Sequence, residues 1–549
     1  MFSKAPSARL TPSYGTAVRK NLLAIARRPE IFALLIASSL QACMIGPDYK
    51  RPPAPLASKW EQAANPAVDT GHLAYADWWS VFNDPVLTRL VGIAYAQNLN
   101  LRTAGVRVLE ARAQLGLAIG EFYPQQQTVS ASLSYNRIPG SLPYNILSNV
   151  YASDAFGAQA AWEIDVWGKL RRGIQSADDA FLSSVASYDD VLVTLTGDIA
   201  STYVEIRTSQ AQIQIAHDNV TRQKTAVKIA KARHVGGVVT GRDVDQAENV
   251  LGATEATIPQ LEIQLQTQKN ALSVLLGMAP GAVDPLLAGK TGIPDAPERA
   301  AVGVPGDLMA RRPDIRRAEL DAAAQCAQIG FTKADLLPAF TLLGSVGTVS
   351  SDVGKSSLSD VFTHASLIYT AGPSFQWNIL NYGQITNNVR VQDARFQELL
   401  ISFQNTVLQA QQEVANGMTT FIGARAAVVY LKASVKAAEG ALQIAMIQYK
   451  EGIADFTTVL TAEQNLYEAQ NNLAIWSGQV PLGLIAAYRA MGGGWQIREG
   501  HNFIPPDTAR EMENRTNWGT LLTPDLTQPQ APGLPSTQDT GPLIRLPEW

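Results

Sequence analysis

After Gly168 the apolar residues recur in alternating steps of four and three: Phe181, Val185, Tyr188, Leu192, Leu195, Ile199, Thr202 and Ile206. A stripe of that spacing is the seam of a coiled-coil helix. No proline interrupts the chain between Pro143 and Pro259. The pattern therefore predicts a helix over about 169–234, roughly 65 residues and roughly 100 Å long. A breaker, residues 235–242 with Gly236, Gly237 and Gly241, precedes a shorter predicted helix over 243–276. Away from the seam the faces carry Ala, Gln, Asn, Ser and Thr more than Lys and Glu. Such faces pack on neighbours or line a wide wet channel.

Before Gly168 the period is two. Val129, Leu133 and Tyr135 alternate with Thr128, Ser130, Ser132 and Ser134. Phe156, Ala158, Ala160, Trp162, Ile164 and Val166 alternate with Gly157, Gln159, Ala161, Glu163 and Asp165. Strands are predicted over about 127–137 and 155–167. Strands of about ten residues with aromatic ends suit a membrane barrel with lipid outside and water inside. A soluble antiparallel sheet with one wet face would alternate in the same way.

The whole pattern occurs twice. Trp162-Glu163-Ile164-Asp165-Val166-Trp167-Gly168 returns 215 residues later as Trp377-Asn378-Ile379-Leu380-Asn381-Tyr382-Gly383. The same interval of 215 carries Gly237 to Gly452, Val244 to Val459, Ala247-Glu248 to Ala462-Glu463 and Gly277 to Gly492. An interval of 214 relates Leu101-Arg102 to Ile315-Arg316, Ala104 to Ala318, Gly116 to Gly330 and Pro124 to Pro338. The seam is repeated at Phe396, Leu400, Phe403, Val407, Ala410, Val414, Gly417 and Phe421. The chain is thus read as two copies of one unit. Repeat 1 covers 85–294, opening on Asp84-Pro85, a cap followed by a first-turn proline. Repeat 2 covers 295–494, with strands over about 339–349 and 365–380, a long helix over 384–448, a tip at 449–457 and a helix over 458–491.

Composition changes the picture at both ends. Residues 1–42 hold six basic residues against Glu30, while the 549-residue chain has a formal net charge of −4. The remainder is therefore negative, which argues against nucleic acid as a partner. No run of 18 apolar residues is present, so no transmembrane helix is predicted. Arg27-Arg28, the apolar run Ile31 to Leu40 and Ala42 lead into Cys43, one of only two cysteines. This resembles the lipobox of bacterial lipoproteins: 1–42 would be a signal peptide, removed, and Cys43 would be acylated. The alternative is an ordinary buried cysteine in a first helix. Several acyl chains give stable anchoring where one does not. Met44 stands where many inner-membrane lipoproteins carry aspartate, which favours the outer membrane. Residues 43–84 are read as an anchor and extended segment. Residues 495–549, rich in Pro, Thr and Gln, are read as a tail without a fixed fold that in part wraps the helices.

Four strands cannot close a barrel, and closure in lipid takes at least about eight. Several chains must combine, and the pattern permits two, three or four. Asp77-Trp78-Trp79, Phe82-Asn83-Asp84-Pro85-Val86-Leu87, Arg312-Pro313-Asp314-Ile315-Arg316 and the two helix tips resemble the outer membrane factors of tripartite efflux pumps, the TolC-like family in its lipoprotein (NodT) branch. The resemblance spans roughly 43–494. It implies a homotrimer with a twelve-stranded barrel in the outer membrane, continued by a helical barrel through the periplasm. It implies a passive conduit, joined by a periplasmic adaptor to an inner-membrane transporter that supplies energy.

By the same resemblance the helix tips form a periplasmic gate. Tyr449 matches a tyrosine that bonds in relatives to an aspartate in the place of Asp243, so a Tyr449–Asp243 hydrogen bond is expected. Thr458 and Thr461 stand where relatives carry one or two aspartates at the mouth. Asp455 either substitutes for that carboxylate or caps the following helix. Gly236, Gly237 and Gly452 are expected to turn the backbone where the adaptor meets the tips. Enzyme chemistry finds no support: the five histidines are dispersed, none has metal-ligand spacing, and no cofactor motif is present. Gly492-Gly493-Gly494 reads as a helix C-cap, and Cys326 as a small core residue. A periplasmic coiled-coil adaptor explains the helices but not the repeated hairpins. Within conduits, protein secretion through a one-component transporter is the alternative to small-molecule efflux.

Overall fold

A computed structural model describes residues 44–69, 71, 75–139, 150–353 and 357–522, so Cys43, the expected acylation site, lies outside the described residues. The expected signal peptide and the chain beyond 522 lie outside the described residues. Repeat 1 contains α1 (Pro85–Gln97), α2 (Leu99–Gly120), β1 (Gln126–Arg137), β2 (Val150–Ile164), α3 (Lys169–Val235) and α4 (Gly241–Leu275). Repeat 2 contains α5 (Pro313–Ala334), β3 (Ala339–Ser351), β4 (Leu367–Gln376), α6 (Gln384–Lys450) and α7 (Phe456–Ala490). The two long helices each span 67 residues and their partners each span 35. The internal repeat is therefore a geometric one.

The glycines at the constant interval share a conformation. Gly168 and Gly383, before α3 and α6, have φ of 76° and 83°. Gly237 and Gly452 end those helices at 74° and 73°, and Gly277 and Gly492 end α4 and α7 at 69° and 73°. At each C-terminus the amide one residue past the glycine reaches back five positions: Val238 to Arg233 O, Ile453 to Gln448 O, Met278 to Ser273 O and Gly493 to Tyr488 O. This is a Schellman closure, which needs a residue free to adopt positive φ. Asp84 caps α1, accepting from Val86 N at 2.9 Å and Leu87 N at 3.2 Å, with Pro85 at the first helical position. Its second oxygen accepts from Tyr203 Oη at 2.9 Å, fixing α1 to α3.

The four strands form one antiparallel sheet in the order β1-β2-β3-β4. Hairpins lie within each repeat and the β2–β3 pairing joins them. β1 and β4 are left as open edges, and Pro373 sits in edge strand β4, where a missing N–H is tolerated. Strand limits differ from the sequence reading, β2 ending at Ile164 rather than 167 and β4 starting at Leu367 rather than 365. β2 starts at Val150, not 155, because Arg137 at the end of β1 still finds a partner there. β4 stops at Gln376, not 380, because β3 opens at Ala339 behind Pro338 and offers no partner beyond. Trp162 Nε1 donates to Phe122 O and Trp377 Nε1 to Leu336 O, at 3.1 and 3.0 Å, so equivalent indoles pin each hairpin to the helix before it.

The main core lies where α1, α3, α6 and α7 meet, around Trp78, Leu87, Tyr203, Phe403, Val414 and Tyr488. From Tyr188 to Ile199 and from Phe403 to Phe421 every seam residue is buried. The segment after Cys43 is docked at once. Ile45 N donates to Trp167 O, and Arg172 donates to Ile45 O at 3.2 Å and to Asp48 at 2.7 Å. Further on, Val68 and Asp69 pair in parallel with Ala300 and Ala301 near the start of repeat 2.

Residues 495–522 depart from the expectation of a tail without fixed structure. Trp495–Arg498 form a 3-10 turn and Pro506–Glu513 form α8. Ile504 and Met512 bury against Leu109 of α2, with Trp518 and Leu522 packed beside them. Arg498 makes a bidentate ion pair with Asp189 of α3, both side chains being 4% exposed. The apolar residues of 495–522 supply the burial that holds this segment.

Candidate functional site

The site lies at the free ends of the two helix hairpins. Ala226, Val227 and Ala230 of α3 and Ala247 of α4 meet Leu442, Ala445, Tyr449, Phe456, Val459, Leu460 and Leu466 of repeat 2 in a second cluster. Tyr449 is 1% exposed and its ring lies 5.0 Å from that of Phe456. Arg233 covers the other side, its Cζ 4.5 Å from the Tyr449 ring centre. Arg233 Nη1 donates to Tyr449 O and, at 3.4 Å, to Lys450 O. Sequence reasoning missed Arg233, which looks there like one more cation on a helix face.

The expected Tyr449–Asp243 hydrogen bond is absent from this structure. The Tyr449 hydroxyl is buried with no hydrogen-bond partner among the described residues. Asp243, in the first turn of α4, has its carboxylate 3.9 Å from Arg242 Nε. The physical reason is the packing of the ring between Arg233 and Phe456, which holds the hydroxyl inside the apolar cluster. Burial raises the Tyr449 pKa; Arg233 opposes that rise and Asp243 adds to it.

Asp455 takes the capping role. It precedes α7 and accepts from Thr458 N at 3.2 Å and Thr458 Oγ1 at 2.9 Å. The repeat interval makes sense of this. Asp455 matches Thr240, the residue before α4, and Thr458 matches Asp243, so cap and third-position residues are exchanged between copies. Asp455, Thr458 and Thr461 line a groove of about 970 Å³ between α6 and α7, floored by Ala438, Ala441 and Ala445. Gly237 and Gly452 adopt the left-handed turn, whereas Gly236 has φ −73° and makes no such demand. Lys231 with Glu248 and Lys224 with Glu255 link α3 to α4 inside repeat 1, all four side chains being solvent-exposed.

A half-open antiparallel sheet with apolar side chains facing out, prolonged by long paired helices with small polar faces, is one protomer's share of a membrane channel. The comparisons agree. The outer membrane efflux protein family model matches residues 90–278 and 304–493, one match per repeat. The chain belongs to the outer membrane efflux protein family. It is 30% identical to the pyoverdine export outer membrane protein OpmQ of Pseudomonas putida, over 76% of this chain and 88% of that one. It is 28% identical to nodulation protein T of Rhizobium leguminosarum bv. trifolii, over 79% and 91%. Among solved structures it is similar to the outer-membrane channel OprN, with 30% identity and TM-score 0.77, covering 83% of this chain and all of that one. The protein is thus an outer membrane efflux channel that extends into the periplasm, a passive conduit and not an enzyme.

Proposed function

We propose that three copies join edge to edge into a twelve-stranded barrel and a helical barrel, and export small toxic compounds through the enclosed passage. Repeat 1 (85–294) and repeat 2 (295–494) each lend one hairpin and one helix pair. The observation that carries this reading is the open sheet. Val129, Leu133, Tyr135 and Tyr369 are 72–79% exposed, and among the described residues both sheet edges lack a partner. Such edges are not tolerated in lipid, so the strands must be completed by other copies. Acylation of Cys43 would hold the chain at the outer membrane, and the docking of Ile45 against Trp167 favours an anchor beside the strand–helix junction. The tips, with Gly236, Gly237 and Gly452, would meet a periplasmic adaptor tied to an inner-membrane transporter. Tyr449, Asp243, Asp455, Thr458 and Thr461 would border the gate.

Small molecules are favoured as cargo because relatives are named for pyoverdine export and for toluene efflux. The test is a deletion strain complemented with the gene and challenged with a panel of toxic organic compounds. Heat-resistant trimers in outer-membrane fractions and restored resistance are expected. Unchanged susceptibility with loss of a secreted protein would point to protein secretion instead. Material that stays monomeric and folded in detergent-free buffer would overturn the barrel.

A further inference from the structure

The two repeats match closely along their seams but not at their tips. The interval of 215 puts Gln448 in the place of Arg233, and Tyr449 in the place of His234. Among the described residues, the tie from Arg233 to the end of α6 therefore runs one way and has no counterpart from repeat 2 to repeat 1. The carbonyls that Arg233 reaches belong to the last turn of α6, an end that carries partial negative charge, and Tyr449 O also accepts from Gly452 N at 3.1 Å. The guanidinium also lies over the ring of Tyr449, a contact that favours a flat cation. Next up the helices, Asn219 and Arg222 bond to Gln470, about three turns away. The apolar contacts beneath the tie on the α3 side come from Ala226, Val227, Ala230 and the half-buried Ile229.

We infer that Arg233 is a latch: it holds the α3–α4 tip and the α6–α7 tip of one protomer together in the closed mouth, and its release is a step in opening. This rests on the channel reading and names a positioning residue within it. The latch acts through two backbone carbonyls and a ring, so no partner carboxylate is needed. Opening that moves one hairpin past the other must break the contact; movement of both together would not.

The test uses full-length protein purified from outer membranes and reconstituted in planar bilayers, with potassium chloride current as the readout. Arg233→Gln is expected to raise the frequency of open events roughly ten-fold, the effect of losing a charged hydrogen bond on a two-state balance. Arg233→Lys, which keeps the charge but cannot span two carbonyls and cover the ring, should fall between. Lys231→Gln removes a cation two residues away that pairs within repeat 1, and should behave as the parent. Parent-like opening in Arg233→Gln trimers overturns the latch, as does an equal rise in Lys231→Gln. If Arg233→Gln does not assemble, parent-like opening in assembled Arg233→Lys overturns it. A parent that never conducts overturns the channel reading itself, which keeps the two failures apart.

Discussion

Glycine-to-alanine changes in the long helices should differ in sign according to what stands opposite. A Cβ added at Gly417 of α6 would meet Ala487 N at 2.6 Å and Ala487 Cα at 2.9 Å. A Cβ added at Gly483 of α7 would meet Phe421 N at 2.6 Å and Phe421 Cα at 2.9 Å. The obstructing atoms are backbone, so no side chain can swing away. Relief needs α6 and α7 to part by about 0.8 Å, enough to forfeit a quarter to a half of the dispersion energy of contacts along that stretch. Overpacking of this kind costs about 1–3 kcal/mol. Alanine returns at most about 1 kcal/mol in helix propensity. The steric effect should win, leaving Gly417→Ala destabilised by about 1–2 kcal/mol. Gly423 in the same helix and Gly252 in α4 have nothing within 4 Å of a built Cβ. There propensity acts alone, and Gly423→Ala and Gly252→Ala should gain up to about 1 kcal/mol. Thermal unfolding of the detergent-solubilised assembly, read by circular dichroism, separates the two groups. A Gly417→Ala protein as stable as its parent would refute the argument. The double change Gly417→Ala with Gly483→Ala should cost less than the sum, since both act on one crossing.

Asp189→Ala or Arg498→Ala should destabilise the fold by about 3–5 kcal/mol, because each leaves a charge buried without its partner; an isosteric apolar pair at both positions should recover much of the loss in the same melts. Burial raises the Glu463 carboxyl to about 7 from 4.5, with Arg222 opposing. A carboxyl with a raised folded pKa binds more protons folded than unfolded between those values, so stability should fall as pH rises from about 4.5 to about 7. Melts at pH 5 and pH 8 should therefore differ less in Glu463→Gln than in the parent. Cys43→Ala should remove acyl mass from the mature chain by mass spectrometry; the same acyl mass on the variant would exclude Cys43 as the site. Thr458→Asp should shift the reversal potential of bilayer currents toward cations, and an unchanged potential would place Thr458 away from the conducting path.

What was readable before the structure is what is written in periods. The four-three seam, the alternation before Gly168 and the 215-residue interval give the long helices, the hairpins and the duplication. They do so because seam burial and strand pleat impose a spacing on every residue they use. Contacts that cross between repeats impose none. Arg233 lies in a polar stretch of α3, and nothing local to it announces that a helix end more than 200 residues away is its partner. The docked segment 495–522 was hidden differently: averaged with the polar residues after it, the apolar content of Trp495, Ile497, Phe503, Ile504, Met512 and Trp518 was diluted.

Where the copies agree and where they part has a physical logic. Agreement falls on positions that any copy of the hairpin needs: glycines with positive φ at both ends of the long helices, and tryptophans that pin the strands. Divergence gathers at the tips, where Arg233 faces Gln448's place, His234 matches Tyr449, and Thr240 and Asp243 exchange roles with Asp455 and Thr458. A closed ring of identical hairpins would have equivalent contacts throughout and no reason to yield at one joint before another. Making one tip donate and the other accept creates two kinds of joint in a wall of repeated helices. Only then can one joint give way at a smaller load while its neighbour stays shut.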